Sequence, residues 1–175
     1  MNTLNRAKEA GMRSDPLDAL FQRMQRTGVV LPAQLVGCTP AQIRRLESRY
    51  GLTLPSTYRR FLSVMGRKSG RLFAHDWLEV HYDSVLKLTA QVPGIVRDWG
   101  EIAPEWASFA LPDKALVILY RDMSDDFHFI RCDREDDSAV WHFSPDVPRP
   151  RQLRKSVVGW LRGWCEEAER VIADG

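Results

Sequence analysis

The chain has 175 residues, of which 44% are hydrophobic and 27% are charged, and its formal net charge is +2. This composition is typical of one soluble globular domain, and no apolar run approaches the ~20 residues of a membrane-spanning helix. The N-terminus lacks the apolar core of a signal peptide, so no membrane partner is expected. Three widely spaced cysteines, Cys38, Cys132 and Cys165, argue against a disulfide framework or a zinc site. A reducing cytoplasm suits such a chain.

The first predicted helix begins at Asp15 and Pro16, a pair typical of helix starts. Gly28 follows its last turn, and residues 29–38 are expected to be extended. One face of this helix carries four apolar side chains: Leu17, Leu20, Phe21 and Met24.

Residues 39–66, TPAQIRRLESRYGLTLPSTYRRFLSVMG, predict a helix, a turn and a second helix. Thr39 is a good N-cap, and Gln42 completes a capping box with it. Gly51 is suited to the left-handed conformation that ends many helices. The second helix starts after Leu54-Pro55, and its apolar face, which includes Phe61, is expected to be buried against a sheet.

This stretch resembles the opening motif of the SUKH superfamily, which includes fungal cell-wall-assembly regulators and bacterial toxin-immunity proteins. The matching residues are Glu47, Gly51, Leu54-Pro55, Tyr58 and Phe61-Leu62, whereas Met65-Gly66 stands where the family usually has Asn-Gly. The resemblance implies a SUKH-like α+β domain over residues 39–175, preceded by an N-terminal helical extension over residues 1–38 in a single globular unit. It also implies an immunity protein that binds and neutralises a cognate toxin, a nuclease being one candidate. The alternative is a non-catalytic regulatory or scaffolding module of the cell-wall-regulator type.

The rest of the chain changes from helical to strand periodicity and back. Asp83 is expected to cap a helix that Pro93-Gly94 interrupts. Residues 115–120, 127–132 and 139–143 predict antiparallel strands, because short polar turns join them. Ser156 then caps a closing helix. The predicted fold class is α+β: a central, mainly antiparallel sheet, with the N-terminal helix pair and the C-terminal helix packed on it.

Charge is distributed unevenly. Residues 44–71 contain eight basic side chains and one acidic, whereas residues 122–146 contain eight acidic and two basic. Such runs are often only solvated faces, but opposed patches also select partners. The candidate partner-binding residues are Asp122, Asp125, Asp126, Asp133, Glu135, Asp136, Asp137 and Trp141. Charge reversal at Asp125, Asp126 and Asp136 is expected to leave the fold intact.

No motif for catalysis is present: there is no nucleophile elbow, Walker loop or dinucleotide fingerprint. His75-Asp76 and His81 with Asp83 are interpreted as polar residues beside a strand. His128 and His142 lie on adjacent predicted strands, where exposed sheet residues are favoured over metal ligands. We therefore expect no enzyme activity, no cofactor and no metal.

The expected partner is a protein toxin, and the chain itself is expected to be a monomer or a weak homodimer. Nucleic acid is not expected, because the arginine-rich helices lack interleaved exposed aromatic residues and the acidic strands would repel phosphate.

Overall fold

The computed structural model describes residues 15–75, 77–106, 108–147 and 149–175, with the side chain of Trp106 excepted. The helices of this part are α1 (Pro16–Arg26), α2 (Pro40–Tyr50), α3 (Ser56–Met65), α4 (Tyr82–Ile102) and α5 (Val157–Asp174), with short 3-10 turns at Pro32–Gln34 and Pro104–Trp106. The strands are β1 (Leu35–Val36), β2 (Lys68–Ser69), β3 (Leu78–Glu79), β4 (Ala115–Arg121), β5 (Asp126–Arg131), β6 (Val140–Phe143) and β7 (Arg151–Arg154).

Five strands form a central antiparallel meander in the order β3-β4-β5-β6-β7, and β1 pairs with β2 in a small second sheet. The predicted α+β class and the antiparallel central strands are therefore confirmed. The edge strand β7 was not predicted. Its sequence, RQLR, has no apolar alternation and is mostly exposed, so only its pairing with β6 defines it as a strand.

The helix pair α2–α3 forms as the sequence predicts. Thr39 and Gln42 exchange the two bonds of a capping box, at 3.2 Å and 2.9 Å, and Gly51 ends α2 with φ of +62°. Phe61 is fully buried, as predicted. Its aromatic neighbours include Phe73 and Trp160, at centroid distances of 6.2 and 6.4 Å, so α3 packs on α5 as well as within the helix pair.

Glu47 ties α2 to α3. Its Oε1 accepts a hydrogen bond from the backbone N–H of Leu54 at 3.0 Å and an ion-paired hydrogen bond from Arg59 at 2.5 Å. The Leu54 N–H lies in the link between the helices, where it has no helical partner. The glutamate of the resembled motif therefore has a structural role here: it fixes the turn between the two helices.

Helix α1 packs on α5 at the start of the described chain. Asp15 caps it by accepting from Leu17 N at 2.9 Å, and its four predicted apolar residues are buried. Arg23, on the outer side of α1, forms a bidentate ion pair with Glu169 of α5. Its Nε donates to Oε1 at 2.9 Å and its Nη2 donates to Oε2 at 2.5 Å. Of the predicted N-terminal extension, residues 1–14 lie outside the described residues, and α1 shares the hydrophobic core of the rest of the chain.

Helix α4 corrects two predictions. It runs unbroken through Pro93, and its N-cap is His81, not Asp83. Proline removes one backbone donor and usually kinks or ends a helix. Here the stripe of Val85, Leu88, Val92 and Val96 continues across Pro93 and is buried, so apolar packing keeps the two halves in one helix.

The two faces of the central sheet differ in character. His128 and His142 are cross-strand partners, and His128 contacts Trp160 of α5. On the opposite face Phe127 and Phe143 stack at 4.5 Å, covered by Phe109. Alternation along β5 and β6 therefore directs the polar side chains toward α5 and the aromatic ones away from it.

Candidate functional site

The predicted partner-binding acids fall into two groups at opposite ends of β5. Asp122, Asp125 and Asp126 belong to the β4–β5 turn and the first residue of β5, and the others follow its last residue. A six-residue strand is about 20 Å long. The run of acids that is continuous in sequence is therefore not one continuous patch on the surface.

The β4–β5 turn uses two of its three acids inside the fold. Asp125, with a left-handed φ of +50°, accepts hydrogen bonds from Trp99 Nε1 at 2.9 Å and from the Tyr120 hydroxyl. Asp126 is only 6% exposed and accepts from Ser124 Oγ at 2.6 Å. Only Asp122 projects into solvent. The premise that Asp125 and Asp126 are only surface acids is wrong, because both carboxylates have partners within the protein, and we now expect their reversal to destabilise the fold.

We call Asp133, Glu135, Asp136 and Asp137, which follow β5, the acidic turn. The backbone carbonyls of Glu135 and Asp136 accept from the first N–H groups of α3, those of Ser56 at 2.7 Å and Thr57 at 3.0 Å. These N–H groups have no partner within their own helix. The contact therefore satisfies the start of α3 and fixes the backbone of the acidic turn.

The four carboxylates of the acidic turn differ in their exposure and in their partners within the protein. Asp137 Oδ1 accepts from Val157 N at 2.9 Å, and so it caps α5 rather than facing a partner. Asp133 lies 2.9 Å from Arg131 in an exposed ion pair. Glu135 and Asp136 are exposed. Three carboxylates, those of Asp133, Glu135 and Asp136, thus project from an anchored loop.

The acidic turn lies beside the basic helices, a neighbourhood that the sequence does not reveal. The contact at Ser56 and Thr57 places the turn at the start of α3, and Arg59 and Arg60 follow within one helical turn. Both arginines already have acidic partners, Glu47 at 2.5 Å and Asp18 at 3.2 Å. The surface therefore presents the exposed carboxylates of the acidic turn next to largely neutralised arginines.

Trp141 lies on the sheet face opposite to His142. It is half-buried, and its ring is 6.5 Å from that of Phe129 with the planes 18° apart. Trp141 belongs to β6, the strand that follows the acidic turn in the chain. Its role as an interface anchor stays a prediction.

Asp126, His128 and His142 form the one group of metal-ligand type among the described residues, with one ligand atom of each within 4.8 Å of the others. The prediction that both histidines are exposed is wrong. His128 is 4% exposed, and the His142 side chain is 14% exposed, with Nε2 lying 3.3 Å from Asp126 Oδ1. Burial raises the pKa of Asp126, but hydrogen bonds from His142 and Ser124 and the charge of Arg121 outweigh it and lower the pKa below its ordinary value.

The hydrogen bonding of His128 does not fit a metal ion. Trp160 Nε1 donates to His128 Nδ1 at 3.0 Å, and because an indole N–H only donates, Nδ1 carries the lone pair. Burial, reinforced by the charges of His142 and Arg121, lowers the pKa of His128 to about 3, so the ring is neutral with its proton on Nε2. A metal ion at Nδ1 would have to displace the indole N–H. A metal ion at Nε2 would meet the ring N–H, because the proton cannot move to Nδ1 while Trp160 donates to that atom.

The other candidate ligands are dispersed over the described chain. His81 Nε2 lies 3.1 Å from Ser69 Oγ, and the His75 ring stacks on Trp77 at 4.6 Å. Asp76 lies outside the described residues. Cys38, Cys132 and Cys165 are free and buried, and burial raises the pKa of their thiols to about 11, 12 and 11. Neutral thiols of this kind are poor nucleophiles and poor metal ligands.

In the part of the chain that is described, no helix is long and apolar enough to cross a membrane.

Comparison with known proteins finds a matching family but no curated protein that matches the chain significantly. The model of the SMI1/KNR4 family (SUKH-1) matches residues 37–163, from the end of β1 into α5. The match covers most of the chain and includes the helix pair, the central sheet and the acidic turn, and the protein therefore belongs to the SMI1/KNR4 family (SUKH-1).

Proposed function

We propose that the protein is an immunity protein, which binds a cognate toxin and blocks it stoichiometrically. Family membership is compatible with toxin immunity or with a regulatory interaction module, and family members are in general non-catalytic. The observation that carries the proposal is the acidic turn, where three exposed carboxylates stand on a backbone held by the start of α3. A rigid, charged surface loses little conformational entropy on binding.

The chemistry of the acidic turn suits a basic partner. Asp133, Glu135 and Asp136 would approach a positively charged groove such as the substrate site of a nuclease, and the protein would act by occluding it. Exposed charges of this kind mainly raise the association rate and select the partner. Trp141, on the neighbouring strand β6, would then add apolar contact that slows dissociation.

The direct test is to co-express the protein with the product of the adjacent gene, which the proposal predicts to be the toxin, and to measure binding kinetics with the purified pair. We expect rescue of growth and a one-to-one complex whose association slows as salt rises. Reversal of Asp133, Glu135 and Asp136 to lysine should weaken binding at least about tenfold, mainly through the association rate.

A second triple reversal, at Asp98, Glu101 and Glu105, is the matched control. These acids are exposed, lie on α4 and the turn after it, and give the same change in net charge. The control should retain binding within about twofold. Equal loss in both variants would reduce the effect to net charge, and the absence of rescue would favour the regulatory or scaffolding alternative.

A further inference from the structure

A cleft of about 500 Å³ lies between the α5-facing side of the sheet and α5, and the toxin-binding proposal does not use it. Three arginines line it, Arg121 from β4 and Arg151 and Arg154 from β7. Its apolar walls are the rings of Trp77, Trp160 and Trp164. This volume is within the range of small-molecule sites in proteins.

Two of the three arginines in the cleft are not neutralised by an acidic side chain of the described residues. Neither Arg151 nor Arg154 forms an ion pair within the described residues. Arg121 Nε is buried without a hydrogen-bond partner, since Asp126 Oδ1 at 3.8 Å is beyond hydrogen-bonding distance. Because this Nε is closed to solvent, a ligand in the cleft would not reach it, and among the described residues the cleft arginines without an acidic partner are Arg151 and Arg154.

Few acidic side chains line the cleft. Glu167 is the one carboxylate among the described residues that line it, and Arg170 pairs with it at 2.6 Å. His142 also lines the cleft, and its Nε2 is engaged with Asp126. Cations from two strands therefore face a space with almost no opposing charge, which favours an anionic ligand over a metal ion.

Two of the arginines are held by packing rather than left free in solvent. The Arg121 guanidinium lies over the Trp164 ring, 5.8 Å from its centroid. The Arg154 guanidinium lies against α5 at Gly163, where an added Cβ would come within 3.2 Å of its Nη2. Gly163 thus leaves room for Arg154, and its absence of a side chain helps to place the charge at the cleft.

The aromatic walls add a second kind of recognition. Trp77 is 44% exposed at the cleft, and His75 stacks on it with the planes 20° apart. Exposed tryptophan faces bind planar rings, and arginines bind phosphate through several donors. From this combination we propose that the cleft binds a small phosphorylated ligand with a planar ring, a nucleotide, with its phosphate at Arg151 and Arg154 and its ring on Trp77.

The experiment is titration of the full-length protein with AMP, inorganic phosphate and adenosine at about 0.15 M salt, by calorimetry and tryptophan fluorescence. We expect saturable AMP binding that is tighter than binding of phosphate or adenosine alone. Arg151→Gln with Arg154→Gln should weaken AMP binding by at least about tenfold, because each lost charge-assisted bond contributes roughly that factor. Trp77→Leu should reduce AMP affinity to that of phosphate.

The matched control is Lys155→Gln with Arg162→Gln, which removes two exposed cations beside β7 and on α5 that do not line the cleft. This control should bind AMP as the wild type does. Circular dichroism of every variant checks that the fold is retained. The proposal is overturned by an absence of saturable binding at millimolar AMP, by equal weakening in the control, or by phosphate binding as tightly as AMP.

Discussion

Trp160 of α5 donates a hydrogen bond to His128 of β5, with 3.0 Å between indole Nε1 and Nδ1. Both side chains are buried. The contact joins the closing helix to the centre of the sheet and fixes the tautomer of the histidine. Because the Nδ1 lone pair of His128 accepts this hydrogen bond, that nitrogen is not available to a metal ion.

The burial of His128 predicts a pH dependence of stability. In the unfolded chain His128 has an ordinary pKa of 6.5, and burial lowers the folded pKa to about 3. Below pH 6.5 the unfolded state therefore binds a proton that the folded state does not. The free energy of unfolding should fall as pH drops through this window, by up to ~1.4 kcal/mol per pH unit for this one group.

Urea unfolding between pH 5 and 6.5, where carboxylates stay ionised, measures this effect. His128→Asn keeps an acceptor for Trp160 but does not titrate, so its stability should vary less with pH than that of the wild type. Burial also lowers the pKa of His81, which contributes equally in both proteins. Identical slopes in the two proteins would show that His128 is already protonated in the fold.

Phe61→Ala should lower the free energy of unfolding by about 3–5 kcal/mol, because the ring is fully buried between α3 and α5. Ser63→Ala, exposed on the same helix, is the control and should change stability by less than ~0.5 kcal/mol. Chemical denaturation with an unchanged slope measures both. A loss below about 1 kcal/mol for Phe61→Ala would contradict close packing at this position.

Glu47→Ala should cost about 1–3 kcal/mol, because it leaves the buried Leu54 N–H without its acceptor and Arg59 without its partner. Glu47→Gln keeps an acceptor for Leu54 and should cost less. The difference between the two variants, measured by urea unfolding, separates the backbone hydrogen bond from the charge. Equal losses would assign the whole effect to Arg59.

Asp126→Lys and Asp136→Lys should have opposite consequences, although both make the same change of charge in neighbouring parts of the sequence. Asp126 is buried with Ser124 and His142, so its reversal should cost at least about 3 kcal/mol. Asp136→Lys, at an exposed side chain, should change stability by less than ~0.5 kcal/mol. Thermal unfolding of the two variants is sufficient, and similar melting temperatures would show that Asp126 is not part of the folded core.

Zinc should not stabilise the protein, because Trp160 occupies Nδ1 of His128 and Arg121 lies near Asp126. Thermal melts with micromolar zinc and with a chelator should coincide. A ligand that binds only the folded state raises its stability. A melting temperature several degrees higher with zinc, lost in His142→Asn, would mean that the histidine pair does hold a metal.

Much of the fold could be predicted because its signals are local. The capping box at Thr39 and Gln42, the left-handed Gly51 and the cap at Ser156 depend on residues a few positions apart. The apolar run of β4 likewise indicates a buried strand without knowledge of its neighbours. The family resemblance is local too, because its matching residues all lie between Glu47 and Leu62.

The composition of the candidate sites could not be predicted, because it depends on contacts between distant segments. In the sequence alone, Asp126 and Asp136 are equivalent acidic residues. In the structure β5 separates them, and only Asp126 is buried. The sequence likewise described α4 as interrupted at Pro93, because the buried stripe that keeps the helix whole is a property of its packing.

Local sequence therefore determined the caps, the periodicities and the family of this protein, since hydrogen bonds within a turn and alternation along a strand are encoded in adjacent residues. Tertiary structure alone decided which charges are free. The pairing of β7 with β6 brings Arg151 and Arg154 to the cleft, and the carbonyls that close the start of α3 anchor the acidic turn. Burial and long-range hydrogen bonds set these outcomes, and neither can be read from the residue types alone.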